Sequence, residues 1–316
     1  MNHPTDCSAG VEDSVDLQVN GYVGVDFNDP QITTAAIVKA AAAMRDDSVA
    51  AALPTIITGS PAVMLGCISN LQRVIAADQE VATVFRGLHV EGPFLSPRPG
   101  YIGAHPVEHA RAQDLSLLAE LIDAGKGLVR LVTLAPEVDT DGRLTQYCVE
   151  RGIVVAAGHT DAALSELDDC IAAGLSLFTH LGNGCPREMD RHDNIIYRAL
   201  RRADRLRYTL IADGFHVPET LFRNLLQWVP IERLAVVSDA ISAAGLGPGT
   251  YQLGSRLVSI GADRAAREPG GQHFVGSAST LRDADRWLCQ SLGLSLSQRQ
   301  QLLQRNPAEW LSLVGE

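Results

Sequence analysis

The sequence contains no long hydrophobic run and little positive charge. No apolar stretch reaches the roughly 18 residues that a membrane span needs, and the first residues, MNHPTDCSAGVEDS, are polar and acidic rather than typical of a signal peptide. We therefore expect a cytoplasmic protein with no membrane contact. The formal net charge of -11 argues against a nucleic-acid partner, although a local basic pocket for an anion such as phosphate is compatible with it.

The cysteine pattern lacks both a CxxC pair and the dense spacing of a disulfide-rich domain. Reduced thiols with buried structural roles are therefore expected for all six, Cys7, Cys67, Cys148, Cys170, Cys185 and Cys289. Internal repeats, low-complexity tracts and interdomain linkers are also missing. With 316 residues, of which 46% are hydrophobic and 20% charged, the chain has the composition of a globular protein.

Short apolar runs recur along the chain, and each is followed by a helical pattern. The eight runs are VDLQVNG from Val15, SVAAALPTI from Ser48, FRGLHVEG from Phe85, VRLVTLAPE from Val129, IVVAAGHT from Ile153, LSLFTHLGN from Leu175, RYTLIADGFH from Arg207 and LAVVSDA from Leu234. Eight strands that alternate with helices predict an α/β fold, a closed parallel (β/α)8 barrel of the TIM type rather than an open doubly wound sheet.

The pattern changes after the eighth strand. Residues of about 241–277 are rich in glycine and include an alternating piece, YQLGSRLVSI, which predicts a hairpin insertion at the surface. Helical segments follow at about 279–313. We therefore divide the chain into a tail, 1–14, and a single barrel domain, 15–316.

Polar side chains occur at the carboxyl ends of the predicted strands, where barrel enzymes build their active sites. They are Gln18, Asn20, Glu91, His159, His180, Asn183, His216 and Asp239.

One carboxylate and two imidazoles in this set could bind a divalent metal. Glu91, His159 and His180 end the third, fifth and sixth strands, which converge on one mouth. For either histidine alone, a hydrogen-bonded core role is the more common explanation; the combination with Glu91 favours a catalytic metal site. His89 has the same strand period as Glu91 but lies deeper, so we expect it to pack or support the site.

Three further side chains fit a hydrolytic mechanism. Asp239 could take a proton from a water whose pKa the metal lowers toward about 7, and later pass it to a leaving amine; the alternative is a helix N-cap. His105, after a glycine-rich turn, could donate to the substrate carbonyl and stabilise an oxyanion. His216 could contact a polar substrate, or serve only as structure.

The ordered motifs resemble those of N-acetylglucosamine-6-phosphate deacetylases of the amidohydrolase superfamily. The matching segments, over roughly Asp16 to Leu281, are DLQVNGYVGVDFND, GLHVEGPFLSPRPGYIGAH, GHTDA, THLGNG, IADGFHV, SDAISAAG and VGSAST. The resemblance implies hydrolysis of an N-acetyl group from an amino-sugar phosphate. It implies Glu91, His159 and His180 as metal ligands, Asp239 as catalytic acid and base and His105 as carbonyl donor. It also implies sugar or phosphate contacts at Ala104, Asn183, Gly184 and His216.

The resemblance also bears on metal number. Many amidohydrolases have HxH at the end of the first strand for a second metal, whereas this chain has Gln18-Val19-Asn20, as in single-metal deacetylases. We expect Gln18 at the substrate site and one metal ion, zinc or a related metal such as iron.

The chain departs from the family pattern in three places. The family's β-sandwich is built before the first strand and after the last helix; only about fifteen residues precede Asp16 here and the sequence stops soon after NPAEW, so we expect little or no sandwich. The family's phosphate-binding arginine has no clear counterpart in this chain, and the candidates are Arg187, Arg191 and Arg198. Arg223 resembles a different arginine, which family dimers lend to the phosphate site of the neighbouring subunit. That resemblance predicts a homodimer. The loop EGPFLSPRPGYIGAH replaces the more usual lysine-rich loop of the family.

Three functions follow as alternatives. The favoured one is deacetylation of N-acetylglucosamine 6-phosphate. The second is deacetylation of another N-acyl amino sugar, either a galacto isomer or a non-phosphorylated sugar. The third is a barrel that binds sugar without catalysis.

Overall fold

The barrel is built from eight parallel strands in sequence order. A computed structural model describes residues 7–253, 256–261, 265–267 and 274–312. The eight strands form one sheet in which each pairs with the next along the chain. They are β1 Ser14–Val19, β2 Val49–Ile57, β3 Leu88–Glu91, β4 Val129–Leu134, β5 Val154–Ala157, β6 Leu177–Phe178, β7 Arg207–Ile211 and β8 Leu234–Val237. Each overlaps a predicted apolar run, with differences of one residue at the start of β1 and the end of β2, and the predicted (β/α)8 barrel is confirmed.

The first and last strands meet just beyond their carboxyl ends. Val19 and Ala240 form a parallel bridge. The amide of Asp239 donates to the carbonyl of Gln18 at 2.9 Å, and the amide of Asn20 donates to the carbonyl of Ala240 at 2.8 Å. These bonds close the barrel at the end where the polar side chains lie.

Helices follow the strands and form the outer layer. They are α1 Thr34–Asp46, α2 Pro61–Ala77, α3 Gln79–Val84, α4 Leu115–Ala124, α5 Arg143–Val149, α6 Leu164–Ala173, α7 Ile195–Leu200, α8 Glu219–Trp228, α9 Leu281–Gln290, α10 Leu296–Gln300 and α11 Asn306–Trp310. Helix α2 illustrates how the sequence sets a boundary, because Ser60 accepts a hydrogen bond from the amide of Val63 and Pro61 occupies the first turn. Among the described residues, no helix combines the length and hydrophobicity required to cross a bilayer.

The barrel interior is apolar away from the mouth. Val15, Leu17, Leu53, Leu131 and Val237 pack together inside it with Trp310 and Leu311 from the end of the chain. Arg130, at the start of β4, donates to the carbonyl of Leu311 at 3.0 Å. The C-terminal segment therefore covers the amino-terminal end of the barrel. The polar side chains identified from the sequence lie at the opposite end, where the strands have their carboxyl ends.

The insertion after β8 is larger than the predicted hairpin. It forms a four-stranded antiparallel sheet of β9 Gly249–Leu253, β10 Arg256–Ile260, β11 Ala265–Arg267 and β12 Phe274–Ser277. Alternation in YQLGSRLVSI indicated only the first strand pair, because the other two strands are short. Residues 254–255, 262–264 and 268–273 of the predicted insertion lie outside the described residues, as do 1–6 of the predicted tail and Leu313 of the last predicted helix.

The predicted C-terminal helices are present, but the second one is interrupted. The chain between α10 and α11 forms one π-helical stretch, Gln301–Arg305. The division into a tail and one barrel domain, and the expectation of little or no β-sandwich, stay predictions.

The expectation that all cysteines are reduced is wrong for two of them. Cys7 and Cys289 form a disulfide across 282 residues of sequence. The same segment is held by hydrogen bonds: Val11 donates its amide to Asp285 at 3.1 Å, and Arg299 donates to the carbonyl of Ala9 at 2.9 Å. Spacing could not indicate this pair, since only the folded chain brings the N-terminal segment onto α9. The other four cysteines are free.

Candidate metal and active site

Strand alternation places Glu91 inside the barrel, and two unusual backbone turns bring histidines to it. Leu88 and Val90 face the outer helices, so His89 and Glu91 point inward. His159 and His180 follow the ends of β5 and β6 with positive φ values of 51° and 31°. Non-glycine residues rarely adopt this left-handed conformation, which costs on the order of 1–3 kcal/mol and is concentrated at functional sites.

Three imidazoles surround the Glu91 carboxylate. Oε1 of Glu91 lies 3.0 Å from Nε2 of His180 and 3.4 Å from Nε2 of His159, and Oε2 lies 3.8 Å from Nε2 of His105. All four side chains are buried. Single ligand atoms of Glu91, His105 and His159 also lie within 4.8 Å of one another, as they would around a shared ion. The structure thus brings together four side chains that the sequence singled out.

The hydrogen bond at Nδ1 distinguishes His159 from the other two rings. Nδ1 lies 2.8 Å from the carbonyl oxygen of Tyr101, which can only accept, so Nδ1 carries the proton. An uncharged ring then turns the lone pair of Nε2 toward Oε1 of Glu91. The lone pairs of Nε2 and Oε1 repel each other at this distance unless a cation lies between the two atoms. In addition, a metal-bound histidine commonly donates its other ring N–H to a carbonyl oxygen, as His159 does to Tyr101. His159 and Glu91 therefore fit a divalent cation.

His105 has the opposite tautomer. The amide of Thr58 donates to Nδ1 of His105 at 3.2 Å, so the proton of the neutral ring is on Nε2, which faces the site. Burial lowers the pKa of His105 to about 3, and the ring is neutral. An Nε2 that carries a proton donates hydrogen bonds and does not bind a metal. The geometry makes His105 a donor beside the cluster, although its distance alone would also suit a ligand.

The charge on Glu91 is stabilised within the cluster. Burial by itself would raise the pKa of the carboxyl group, but its close contacts with the His159 and His180 rings outweigh burial and hold the pKa well below its usual range. The same contact with Glu91 raises the pKa of His180 against the lowering effect of its burial. Deeper in the barrel, burial lowers the pKa of His89 to about 4, and its ring lies 2.8 Å from Oγ1 of Thr133. His89 is therefore a buried, neutral ring, and its predicted packing or supporting role stays a prediction.

Residues at the end of β1 orient the two acidic groups. Nε2 of Gln18 donates to Oε1 of Glu91 at 3.1 Å, and Oε1 of Gln18 accepts from Thr179 at 2.6 Å. Asn20 donates to Oδ1 of Asp239 at 2.7 Å. Both groups of the Gln18 amide thus have protein partners, Glu91 and Thr179. The predicted contact of Gln18 with a substrate stays a prediction.

Asp239 lies on the β8 side of the same cluster. Its backbone has a positive φ of 46°. Burial raises the pKa of its carboxyl group, opposed by the charge of His180 and reinforced by that of Glu91. A buried carboxylate with a raised pKa beside a cationic site has the properties of a group that accepts and returns a proton.

His216 is held by an acidic neighbour that sequence reasoning missed. Nδ1 of His216 lies 2.6 Å from Oδ2 of Asp213, and Oδ1 of Asp213 accepts the amides of Phe215 and His216 at 2.9 Å each. The motif ADGFH contained a usable signal, because an aspartate followed by glycine often closes a turn through its own side chain. Thr58 and Tyr101 were also missed, and no local pattern marks their role.

Two loops pack against the outer side of His159. A Cβ on Gly103 would lie 2.9 Å from Cε1 of His159, and a Cβ on Gly184 would lie 3.0 Å from its Nδ1. Glycine at these two positions therefore lets both loops pack against the imidazole, and the predicted substrate-contact positions Ala104 and Asn183 are their neighbours in sequence. Nδ2 of Asn183 is buried without a hydrogen-bond partner among the residues that the structure describes. Asn183 therefore has a donor for a bound molecule.

The predicted arginines differ in their surroundings. Arg223 donates to Glu219 at 2.8 Å and to the carbonyl of Ser291 at 2.7 Å, so its contacts are with α8 and the end of α9 rather than with the cluster. Arg198 is paired with Asp161 and Asp193. Arg187 and Arg191 are exposed, in the loop that follows His180.

Comparison with known proteins assigns the family. No family model matches the chain. It is 31% identical over 308 residues to the N-acetylglucosamine-6-phosphate deacetylase of Homo sapiens, covering 95% of this chain and 73% of that protein. The chain belongs to the N-acetylglucosamine-6-phosphate deacetylase family. The enzyme of that name from Bacillus subtilis is 28% identical to this chain over 301 residues, which cover 95% of this chain and 74% of the Bacillus subtilis protein.

Solved structures of this deacetylase family superpose on the barrel. A variant of the Mycobacterium smegmatis enzyme, solved in complex with N-acetyl-D-glucosamine 6-phosphate, has a TM-score of 0.84 with 30% identity and covers 96% of this chain and 77% of that chain. The Thermotoga maritima enzyme has a TM-score of 0.81 with 26% identity, over 96% of this chain and 80% of that one. Membership of a family of metal-dependent amidohydrolases and the cluster around Glu91 together indicate a divalent metal site.

Proposed function

We propose that this chain hydrolyses the N-acetyl group of N-acetylglucosamine 6-phosphate to give glucosamine 6-phosphate and acetate. The supporting observation is the division of tautomers around Glu91, with a lone pair on His159 and a donor on His105. One side of the cluster thus suits a cation and the other an acyl oxygen. The names of the relatives supply the substrate, and the family's hydrolytic chemistry matches this site.

In this proposal Glu91, His159 and His180 hold one divalent ion. When bound, the ion acidifies water and withdraws charge from the acyl group. Zinc is the metal we propose, because a carboxylate with two imidazoles matches its preferred catalytic ligand set. Gln18 orients the carboxylate and Tyr101 orients the His159 ring, as supporting partners of a metal do.

Asp239 and His105 carry out the proton chemistry. Asp239 takes a proton from the attacking water as the new carbon–oxygen bond forms, and it gives that proton to the nitrogen as the carbon–nitrogen bond breaks. Nε2–H of His105 donates to the acyl oxygen, where negative charge develops. His216, fixed by Asp213, contacts a sugar hydroxyl, and Nδ2 of Asn183 donates to the sugar phosphate.

The remaining contacts are proposed from sequence. Backbone atoms of Ala104 and Gly184 contribute to the sugar site, and Arg187 or Arg191 is a candidate for the phosphate since Arg198 is already paired with two carboxylates. We also propose a cytoplasmic homodimer. A role for Arg223 in a neighbouring subunit requires it to exchange its present carbonyl partners. Light scattering measures the mass, and a monomer at working concentration would contradict the dimer.

Acetate release tests the function. The purified protein with one equivalent of zinc is assayed on N-acetylglucosamine 6-phosphate, N-acetylglucosamine and N-acetylgalactosamine 6-phosphate, and the first should give the highest kcat/KM. Asp239→Asn should lose turnover by at least about 1000-fold and retain metal. Activity on another substrate alone would support the second alternative, whereas a chain that binds sugar but releases no acetate would leave only the binding barrel.

A further inference from the structure

The carboxylate of Asp16 joins β1 to the end of β8 beside Asp239. Oδ2 of Asp16 accepts a hydrogen bond from Oγ of Ser238 at 2.5 Å, and Oδ1 accepts the amide of Ser238 at 3.2 Å and the amide of Gln18 at 3.3 Å. Asp16 is 1% exposed and Ser238 is 2% exposed. A buried carboxylate is costly unless its hydrogen bonds are satisfied, and these three come from backbone and hydroxyl groups next to functional residues.

Ser238 extends this network past Asp239. Its Oγ accepts the amide of Ala240 at 3.2 Å and lies 3.3 Å from the carbonyl of Gln18, while the amide of Asp239 donates to that same carbonyl at 2.9 Å. The residues on both sides of Asp239 are therefore held by hydrogen bonds, Ser238 by the Asp16 carboxylate and Ala240 by the Ser238 hydroxyl. Asp239 itself is in the left-handed region, which persists only when the surroundings enforce it.

We propose that Asp16 is a positioning residue, which holds the strained backbone at Asp239 through Ser238 so that the Asp239 carboxylate faces the metal cluster. This inference rests on the proposed function, because it takes Asp239 as the acid and base. Asp16 acts on the rate of proton transfer rather than on metal or sugar binding. Gln18 keeps its own side-chain bonds to Glu91 and Thr179, so the metal site is expected to survive the loss of Asp16.

The variant Asp16→Ala removes all three acceptor contacts. We expect kcat for acetate release to fall at least about tenfold, with KM within about twofold and one metal per chain retained. Asp16→Asn keeps an oxygen for the two amides and can reverse the bond with Ser238, so it should restore kcat to within about threefold of the parent. An unchanged kcat in folded Asp16→Ala, loss of its metal, or a higher KM with unchanged kcat would each overturn the proposal.

Ser14→Ala is the matched control. Ser14 is also buried on β1 and donates to the carbonyl of Ser48 at 2.9 Å, but it is the first residue of the strand, at the end of the barrel away from Asp239. It should lose stability without losing kcat. If Asp16→Ala does not fold, Ser238→Ala replaces it, since that change removes the hydroxyl bonds to Asp16 and Ala240; a parental kcat in Ser238→Ala would overturn the proposal.

Amide exchange provides a readout that is independent of turnover. The amides of Ser238 and Asp239 should exchange at least about tenfold faster in Asp16→Ala than in Ser14→Ala, and equal rates would overturn the proposal. Activity in Asp239→Asn would instead refute Asp239 as acid and base, whatever the exchange rates. An inactive Asp239→Asn together with a fully active Asp16→Ala would overturn only the role of Asp16.

Discussion

Gln18 donates a hydrogen bond to the same oxygen of Glu91 that His180 and His159 approach. A neutral amide thus occupies the end of β1, where a second metal ligand would lie in a two-metal relative. It orients the carboxylate without adding charge, which supports the proposal of one metal ion.

Removal of this amide should weaken metal binding. Gln18→Ala leaves Glu91 free to rotate, and we expect the affinity for zinc to fall about 10-fold to 100-fold, the usual effect of losing a partner of a metal ligand. Competition with a chelator measures it. Asn20→Ala is the control, because Asn20 contacts Asp239 instead; it should lower kcat and leave zinc affinity unchanged. Equal affinities in the two variants would contradict the role of Gln18.

The loop over His159 should not tolerate a methyl group. Gly103→Ala would put Cβ 2.9 Å from the ring, with φ at 60°, and should displace the imidazole so that zinc occupancy and kcat both fall at least about tenfold. Gly152→Ala has a similar φ of 71° and no atom within 4 Å of the added carbon. It carries only the backbone strain, about 1–2 kcal/mol of stability. Similar activities in the two variants would show that the loop moves enough to accommodate the methyl group without displacing His159.

Stability should depend on pH through Asp16. Burial raises the pKa of its carboxyl group to about 7 from an ordinary value of 3.8, despite the opposing bonds from Ser238 and Gln18 and with a further rise from Asp239. The folded state therefore binds the Asp16 proton more tightly than the unfolded state does. This contribution is fully present below about pH 4 and is lost as the pH rises through about 7, on the order of 4 kcal/mol in total.

Urea unfolding of the parent and of Asp16→Asn at pH 5 and pH 8 measures this effect. The parent should lose more free energy of unfolding than the variant between the two pH values. A parallel change in both proteins would mean that Asp16 is ionised in the folded state throughout this range.

The buried ion pair near the disulfide should contribute to stability and not to catalysis. Arg299 is 1% exposed and donates to Asp285 at 2.5 Å. Asp285→Ala leaves the guanidinium without its carboxylate, and we expect a loss of about 3–5 kcal/mol in the free energy of unfolding. Specific activity of the folded fraction should not change. Glu80→Ala, which breaks an exposed pair with Arg45, should have little effect on unfolding.

The barrel, and the meeting of Glu91 with three histidines at its mouth, could be predicted because both follow from local patterns. Runs of apolar residues identify buried parallel strands, and the polar residue that ends each run lies at the shared mouth. The tautomers of His105 and His159 could not be predicted in this way. Their tautomers depend on Thr58 and Tyr101, which touch them only in the folded chain.

Long-range pairs explain the other failures. Asp16 and Ser238 are 222 residues apart and meet only because the barrel closes. Cys7 reaches Cys289 for a similar reason, since the N-terminal segment lies on α9. No periodic pattern in the sequence predicts such contacts. An aspartate inside an apolar run, such as Asp16, must have a hydrogen-bond partner when buried, but the run does not show which residue that partner is.

The left-handed backbone at His159, His180 and Asp239 has a consequence for directed evolution. Selection for heat resistance alone should favour glycine or asparagine at these positions, because both residues adopt that conformation at lower cost. Such clones would unfold at higher temperature and release no acetate. A thermostability screen of this barrel that does not also select for turnover would therefore enrich inactive proteins altered at the mouth.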